Sequence, residues 1–121
     1  MQVSKRKVNN LLEKQVTQMW NQLLADIKTP EEAEKIMAAI LTTTELSAIS
    51  KRLAVGYWLT KKRSYENIKQ NLKVSSATVA VVQQGLKSEG WKMALKKIMA
   101  EEWATHAEET IKKMFKLRRE S

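Results

Sequence analysis

The sequence has 121 residues, which is enough for one domain with a modest core but small for an enzyme with several substrates. It contains no cysteine, so a disulfide scaffold and a cysteine-ligated metal site are excluded, and a reducing cytoplasm is expected. No apolar run approaches the roughly 20 residues of a membrane span, so a soluble protein without a membrane partner is predicted. Three glycines and one proline indicate long helices joined by short turns.

The net charge of +9 is concentrated in the middle of the chain. Residues 1–49 carry six basic and six acidic side chains, and residues 98–121 carry five of each. Residues 50–97 carry eleven basic side chains and only two acidic ones. A block of one sign inside a helical pattern indicates an anionic partner, of which nucleic acid is the commonest, although charge kept for solubility is the alternative.

The first two predicted helices follow clear apolar periods. The first runs from about Ser4 to Ile27, with apolar residues at three- and four-residue steps over some six turns. Thr29, Pro30 and Glu32 then combine a helix cap, a proline suited to the first helical position and a capping box. They predict a second helix that carries the apolar residues Ala33, Ile36, Met37, Ile40 and Leu41.

Four more helices complete a predicted all-α fold. The cap "TTTE" precedes a third helix, from Glu45 to Thr60, and Ser64 caps a fourth, Tyr65 to Asn71. Ser75 or Ser76 caps a fifth that ends near Leu86, and the last runs from about Trp91 to Leu117. The first and last helices are too long and too apolar for a compact monomer, so we expect a homodimer.

The stretch "YENIKQNLKVSSATVAVVQQGL" has the apolar spacing of a helix-turn-helix. Two helices that meet at a tight turn share a small core, which needs apolar residues on both helices and in the turn. Ile68, Leu72, Val74, Val79 and Val82 occupy these places, and Leu86 closes the end. Lys73 stands where glycine is usual, because the backbone there tends to be left-handed.

Several polar and small residues are predicted to face away from that core, and the first turn of the fifth helix would enter a major groove. Backbone N–H groups and hydroxyls at such a helix end suit phosphate oxygens. Alanines can touch thymine methyls, Gln84 can read adenine, and the flanking lysines suit phosphates. The predicted DNA-binding residues are Lys69, Lys73, Ser75, Ser76, Ala77, Thr78, Ala80, Gln84 and Lys87. The alternative is that Ser75 and Ser76 are only helix caps, and that Ala80 and Val81 only pack.

These residues carry a resemblance to a known family. "LTTTELSAISKRLAVGYWL" followed by "YENIKQNLKVSSATVAVV" resembles the tryptophan repressor family, and especially its Trp-repressor-like regulators of unassigned ligand. The similar points are "LTxxE" at Leu41 to Glu45, Arg52 within "KRL", "YxxI" at Tyr65 to Ile68 and "SSATV" at Ser75 to Val79. The resemblance covers about residues 30–98.

The resemblance implies an interlocked, all-helical homodimer that represses transcription by binding double-stranded DNA. It further implies a single domain over 1–121, with residues 1–60 and 90–118 as dimer core and residues 64–87 as the helix-turn-helix. By position, Arg52 matches an arginine that lies against the ligand's indole ring in the founding member, and Thr42 matches a backbone contact near the ligand's amine.

A departure from the family pattern concerns the ligand. The second ligand-binding arginine of the family falls at Val81, and an apolar side chain cannot hold a carboxylate. The predicted pocket of Thr42, Arg52 and Val81 therefore argues against tryptophan as corepressor. No cofactor is predicted, and the alternatives are another small-molecule corepressor or no ligand at all.

Competing functions differ in what they explain. An enzyme is not predicted, because the sequence has no glycine-rich phosphate loop, metal cluster or nucleophile elbow, and a lone His106 beside glutamates is usually a solvated pair. A helical protein–protein adaptor explains the long apolar faces but not the segregated charge. Nonspecific binding of DNA or RNA remains a third alternative, because charge alone does not select a nucleic acid.

Overall fold

The computed structural model describes residues 9–120, apart from the side chains at positions 103, 104, 107 and 118–120. Within that span every regular element is an α-helix, in agreement with the predicted all-α class. The helices are α1 (Asn10–Asp26), α2 (Pro30–Ile40), α3 (Thr43–Thr60), α4 (Tyr65–Leu72), α5 (Ser76–Gly85) and α6 (Glu89–Glu120). In the described span, no helix combines the length and the apolar character needed to cross a membrane.

The chain divides into two compact units, Met1–Ile49 and Ser50–Ser121, and α3 passes from the first into the second. The single domain expected over residues 1–121 remains a prediction. The predicted helix-turn-helix, residues 64–87, lies entirely in the second unit. The predicted dimer core draws on both units.

Polar caps determine where the helices of the first unit begin. The side chain of Asn9 accepts a hydrogen bond of 2.8 Å from the backbone N–H of Leu12, so α1 begins at Asn10. The earlier part of the predicted first helix, Ser4 to Val8, lies outside the described residues. Thr29 caps α2 as predicted by accepting 3.1 Å from the N–H of Glu32.

A complete capping box begins α3. The N–H of Thr42 donates to Oε1 of Glu45 over 2.9 Å, and the N–H of Glu45 donates to Oγ1 of Thr42 over 3.1 Å. The bond from the backbone of Thr42 is the main reason that the pKa of Glu45 is lowered. The helix therefore begins at Thr43, two residues before the predicted start, because its capping residue is Thr42.

The first unit has no fully buried side chain in α1 or α2. Leu11 and Met19 of α1 are 70% and 69% exposed, and Leu12, Val16 and Leu24 are also exposed. The long apolar stripe predicted for the first helix is present but uncovered. This leaves a surface that can be buried only by further packing.

The second unit has a compact apolar core built from α3, α4, α5 and the start of α6. Its fully or almost fully buried members are Val55, Ile68, Val79 and Val82, with Trp58, Leu59, Leu72, Val74, Leu86 and Trp91 packed around them. Trp91 lies so close to α3 that a Cβ atom added at Gly56 would come within 2.7 Å of its Cη2 atom. Glycine at position 56 is therefore what lets α6 approach α3.

The last helix changes character along its length. Its first part packs inward through Trp91 and the buried Leu95. Glu102 then accepts a 2.6 Å hydrogen bond from the hydroxyl of Tyr57 and lies 3.2 Å from Nζ of Lys61, which ties α6 to the end of α3. Beyond this point the apolar side chains that the structure describes are exposed, and α6 ends three residues beyond the predicted Leu117.

Candidate nucleic-acid interface

The segment from Ser64 to Leu86 forms a helix-turn-helix with its own core. Ser64 caps α4 by accepting 3.1 Å from the N–H of Asn67, and Ser75 caps α5 in the same way. All five apolar positions predicted for the motif contribute to the core of the second unit, and Leu86 packs against them. The prediction of a helix-turn-helix core is therefore confirmed.

The turn between α4 and α5 is left-handed at Lys73, where φ is 57° and ψ is 51°. Lys73, which stands where glycine is usual, therefore adopts the left-handed conformation that glycine normally supplies. The N–H of Lys73 donates over 3.0 Å to the carbonyl of Lys69, which satisfies an otherwise orphaned end of α4. The long Lys73 side chain is exposed beside the start of α5.

The start of α5 presents small side chains and no acidic residue. Ser75 is the cap: its Oγ accepts 3.1 Å from the N–H of Thr78 and lies 3.0 Å from Oγ1 of the same residue. Ser76, Ala77 and Ala80 are exposed, and so is Gln84 near the other end of the helix. The exposed backbone end and small side chains allow close approach of an anion to the helix N-terminus.

The predicted phosphate-binding lysines are in different surroundings. Lys69 is partly buried and its Nζ lies 4.0 Å from Oε2 of Glu66, so part of its charge is balanced within α4. Lys73 and Lys87 are exposed and have no acidic partner within salt-bridge distance among the described side chains. Lys73 at the turn and Lys87 just after α5 lie at opposite ends of that helix.

Two residues of the predicted ligand pocket line one shallow groove. Arg52 of α3 faces Ala77, Thr78, Val81 and Val82 of α5 across an open space of about 210 Å³. Val81 is 69% exposed and offers no charge to this space. The N–H and the hydroxyl of Thr42, the third residue of the predicted pocket, are both used in the capping box of α3.

The turn between α3 and α4 adds basic residues that sequence reasoning did not assign to the site. The guanidinium of Arg63 lies 4.0 Å from the ring centroid of Trp58 and donates over 3.3 Å to Oδ1 of Asn67. Lys62 in the same turn is left-handed, with φ of 58°. The run "KKR" was a visible signal of a basic turn, but the stacking of Arg63 on Trp58 could not be read from it.

Comparison with known proteins agrees with this geometry. The family model described as "Trp repressor protein" matches residues 14–99, more than half of the chain. The crystal structure of a TrpR like protein from Eubacterium eligens ATCC 27750 superposes with a TM-score of 0.67 and 25% identity, covering 74% of this chain and 95% of that one. No curated protein matches the sequence significantly. The family match, the shared helical fold and the helix-turn-helix together show that the chain belongs to the Trp repressor family.

Proposed function

We propose that the protein is a sequence-specific regulator of transcription, most simply a repressor, that binds double-stranded DNA as a homodimer. The observation that carries this proposal is the exposed N-terminal end of α5. It lies on a helix-turn-helix whose core is complete within one chain, in the segment that holds the whole excess of positive charge. Membership of the Trp repressor family supports the same function.

In this proposal the first turn of α5 enters the major groove of DNA. The small side chains of Ser76 and Ala77 let the backbone approach, so that N–H groups at the helix end meet phosphate oxygens. The methyl groups of Ala77 and Ala80 contact thymine, and Gln84 reads adenine. Ser75 and Thr78, whose hydroxyls already contact each other, hold the helix start in place.

The lysines act on affinity and not on sequence preference. Lys69, Lys73 and Lys87 contact phosphates, and each contact releases about one counterion. Lys69→Ala or Lys87→Ala should therefore weaken binding to all duplexes similarly and lower the salt slope by about one. Gln84→Ala should instead relax preference at one base pair, at a cost of about 1–3 kcal/mol if the contact to adenine is bidentate.

A homodimer places two reading helices on one DNA duplex. The exposed apolar stripe of α1 supports such a dimer, because a second copy offers a surface of matching length and character. The preferred site should then be a near-palindrome with half-sites about 34 Å apart, or one helical turn. Light scattering should give about twice the chain mass, and thermal stability should rise with protein concentration.

Tryptophan is not part of the proposed mechanism. The groove between Arg52 and Val81 holds about 210 Å³, below the roughly 300–1,000 Å³ of most small-molecule pockets. The groove contains one guanidinium, that of Arg52, whereas the family pattern has a second arginine at the position of Val81. Calorimetry should detect no tight binding of tryptophan, and DNA affinity should not rise when tryptophan is added.

The decisive experiment introduces a carboxylate at the start of α5. A binding selection on random duplexes first defines the preferred site, and Ala77→Glu is then compared with the unchanged protein on that site. Ala77→Glu should abolish binding, because its carboxylate would face phosphates and acceptor-rich base edges. Ala38→Glu makes the same change of charge at an exposed position of α2 and should retain most of the affinity.

Circular dichroism and light scattering would confirm that both variants stay folded and keep the same assembly. If folded Ala77→Glu protein binds the selected duplex as well as Ala38→Glu does, α5 is not the reading helix. If the random selection yields no preferred sequence, the protein is a nonspecific nucleic-acid binder.

A helical adaptor that binds only protein is the second candidate, because the exposed apolar faces of α1 and α6 favour it. The two functions respond differently to salt. Binding to duplex DNA should weaken steeply between 50 and 200 mM salt for a protein that makes several phosphate contacts. An adaptor would show no measurable duplex binding even at low salt and no retention on heparin.

A further inference from the structure

The turn between α3 and α4 contains three basic residues in a row, Lys61, Lys62 and Arg63. The charge of Lys61 is balanced, because its Nζ lies 3.2 Å from Oε1 of Glu102. Lys62 and Arg63, here called the basic turn, are exposed, and neither has an acidic partner within salt-bridge distance among the described side chains. Both charges of the basic turn are therefore open to an anion from outside the chain.

The backbone of the basic turn forms a Schellman motif that ends α3. The N–H of Arg63 donates over 3.2 Å to the carbonyl of Trp58, and the N–H of Lys62 donates over 3.1 Å to the carbonyl of Leu59. Lys62 occupies the left-handed position of this motif, with φ of 58°. Glycine is usual at that position, because it avoids the steric cost that lysine bears there. The need to end the helix therefore does not explain a lysine at this place.

The side chain of Arg63 also fills a place that an uncharged residue could fill. In a Schellman motif the residue after the left-handed position commonly makes an apolar contact with the residue five positions before it. Here the guanidinium lies 4.0 Å from the ring centroid of Trp58, and its Nη1 donates over 3.3 Å to Oδ1 of Asn67. Stacking uses the flat face of the guanidinium and leaves its other N–H donors at the edge. The stack and the hydrogen bond thus hold in place a fork of donors that suits a phosphate.

A left-handed lysine also stands at the other end of α4. The non-glycine residues with positive φ in the described part of the chain are Lys62 and Lys73, which precede and follow this helix. Such backbone strain is concentrated at functional positions, because elsewhere a less strained residue replaces it. Two lysines at two such positions bracket one helix of the helix-turn-helix, which indicates that the charge at each position is used.

We propose that the basic turn is a second phosphate-binding site, which holds the backbone of the same duplex that α5 reads and so rests on the proposed function. In helix-turn-helix proteins the first helix crosses the DNA backbone while the second enters the major groove. The eight residues of α4 make it about 12 Å long, and the phosphates of one strand follow each other about every 3.4 Å along the duplex. A backbone that passes Lys73 at one end of α4 therefore reaches the basic turn at the other end within about four phosphates.

The test removes the two charges of the basic turn from the full chain and measures binding to the duplex found by random selection. Lys62→Gly supplies the residue usual at a left-handed position, and Arg63→Met keeps an unbranched side chain against Trp58, so the double variant should stay folded by circular dichroism. The slope of log affinity against log salt should fall in magnitude by about two, one for each lost phosphate contact. Lys62→Gly alone, which relieves the backbone strain, should lower it by about one.

Sequence preference should not change in the double variant, because phosphates carry no sequence information. The ratio of its affinities for the selected duplex and for a scrambled duplex should therefore equal that of the unchanged protein. Loss of this preference together with affinity would mean that the basic turn positions α5 instead of binding phosphate, and would overturn the proposal.

A second double variant controls for the loss of net charge. Lys28→Gln with Lys35→Gln removes two charges at exposed positions of the first unit. This variant should keep nearly the same salt slope as the unchanged protein. Equal slopes in the two double variants would overturn the proposal, because the effect would then follow the net charge and not the basic turn.

Methylphosphonate linkages show whether the contact is direct. Each one replaces a single charged phosphate of the selected duplex with a neutral group, and the linkage is moved one step at a time. At one or two steps it should weaken binding of the unchanged protein but not of the variant that lacks the basic turn, because there the cation is already gone. Equal weakening of both proteins at every step would overturn the proposal.

The same measurements separate this site from the reading helix. Normal binding by folded Ala77→Glu protein would contradict the proposed function, and with it the basis of the second site. Binding that Ala77→Glu abolishes, but that loss of the basic turn leaves unchanged in both affinity and salt slope, would overturn the second site alone.

Discussion

The helix-turn-helix and the last part of α6, residues 100–120 (here called its extension), use similar apolar residues in opposite ways. In the helix-turn-helix, Ile68 and Val79 are fully buried within one chain. In the extension, Ile111 and Met114 are more than half exposed. The first region is a finished local core, whereas the second gains its burial only from another surface. The comparison teaches that a helical period predicts an apolar face but not which molecule covers it.

Truncation of one isoleucine in each region should give the largest difference in stability between them. Ile68→Ala should destabilise the protein by about 2–5 kcal/mol, because it leaves a cavity in a closed core. Ile111→Ala should cost much less in dilute protein, and its cost should grow with concentration as the proposed homodimer forms. Urea unfolding at two protein concentrations measures both effects.

The reverse outcome would contradict the comparison. If Ile68→Ala were as mild as Ile111→Ala in dilute protein, the helix-turn-helix would not hold its own core. If the cost of Ile111→Ala were independent of concentration, its side chain would be packed within a single chain.

Much of the helix-turn-helix could be predicted because its determinants are local. Five apolar positions, two serine caps and a left-handed Lys73 lie within 22 residues, and each follows from spacing or backbone sterics. The contact of Trp91 with Gly56 could not be predicted, since it joins residues 35 positions apart on helices whose approach depends on the whole unit. The hydrogen bond from the hydroxyl of Tyr57 to Glu102 could not be predicted either, since it joins residues 45 positions apart.

Alanine substitutions at two glycines compare a position that is packed against α6 with an exposed position at the start of α6. Gly56→Ala should destabilise the protein by about 1–3 kcal/mol, because the added methyl would overlap the ring of Trp91. Gly90→Ala should instead stabilise it by up to about 1 kcal/mol, because a Cβ there meets nothing and alanine favours the helix.

Thermal unfolding of the two variants, with Trp fluorescence as a second probe, measures this prediction. A neutral Gly56→Ala would show that Trp91 can move aside at little cost, and that α6 is held to α3 less tightly than its geometry indicates.

A glycine introduced at the turn of the helix-turn-helix should have a smaller effect on stability, opposite in sign to that of Gly56→Ala. Lys73→Gly should stabilise the protein by about 0.5–1 kcal/mol, because glycine adopts φ of 57° without the steric cost that lysine bears, partly offset by a more flexible unfolded chain. Gln70→Gly, in the helical part of α4, should cost about 1 kcal/mol.

The same Lys73→Gly variant should bind DNA more weakly, with a salt slope lower by about one, if its ammonium contacts a phosphate. Greater stability together with weaker binding would mean that lysine at this turn is kept for its charge. A gain of stability without loss of affinity would remove Lys73 from the proposed interface.

The smallest expected effect lies where α6 passes from its packed part to its extension. Glu102 is the last residue of α6 whose described side chain makes a hydrogen bond or an ion pair to another helix. The hydroxyl of Tyr57, and then Lys61, hold the pKa of Glu102 below its ordinary value of 4.5. A lowered folded pKa means that the carboxylate stabilises the fold above the unfolded pKa, and that this contribution is lost as pH falls through the folded pKa.

Glu102→Gln should therefore destabilise the protein slightly at pH 7, and the difference from the unchanged protein should shrink as pH falls through the folded pKa of Glu102, which lies below 4.5. The effect is small because the cluster is solvent-exposed and screened. Glu101→Gln makes the same change one residue earlier, where no cross-helix bond is present among the described residues, so it should destabilise the protein less at pH 7. Urea unfolding of both variants between pH 3 and pH 7 measures the difference. An identical pH response would mean that Tyr57 and Lys61 do not fasten α6 to α3, and that the boundary between the packed and the exposed part of α6 lies nearer to Leu95.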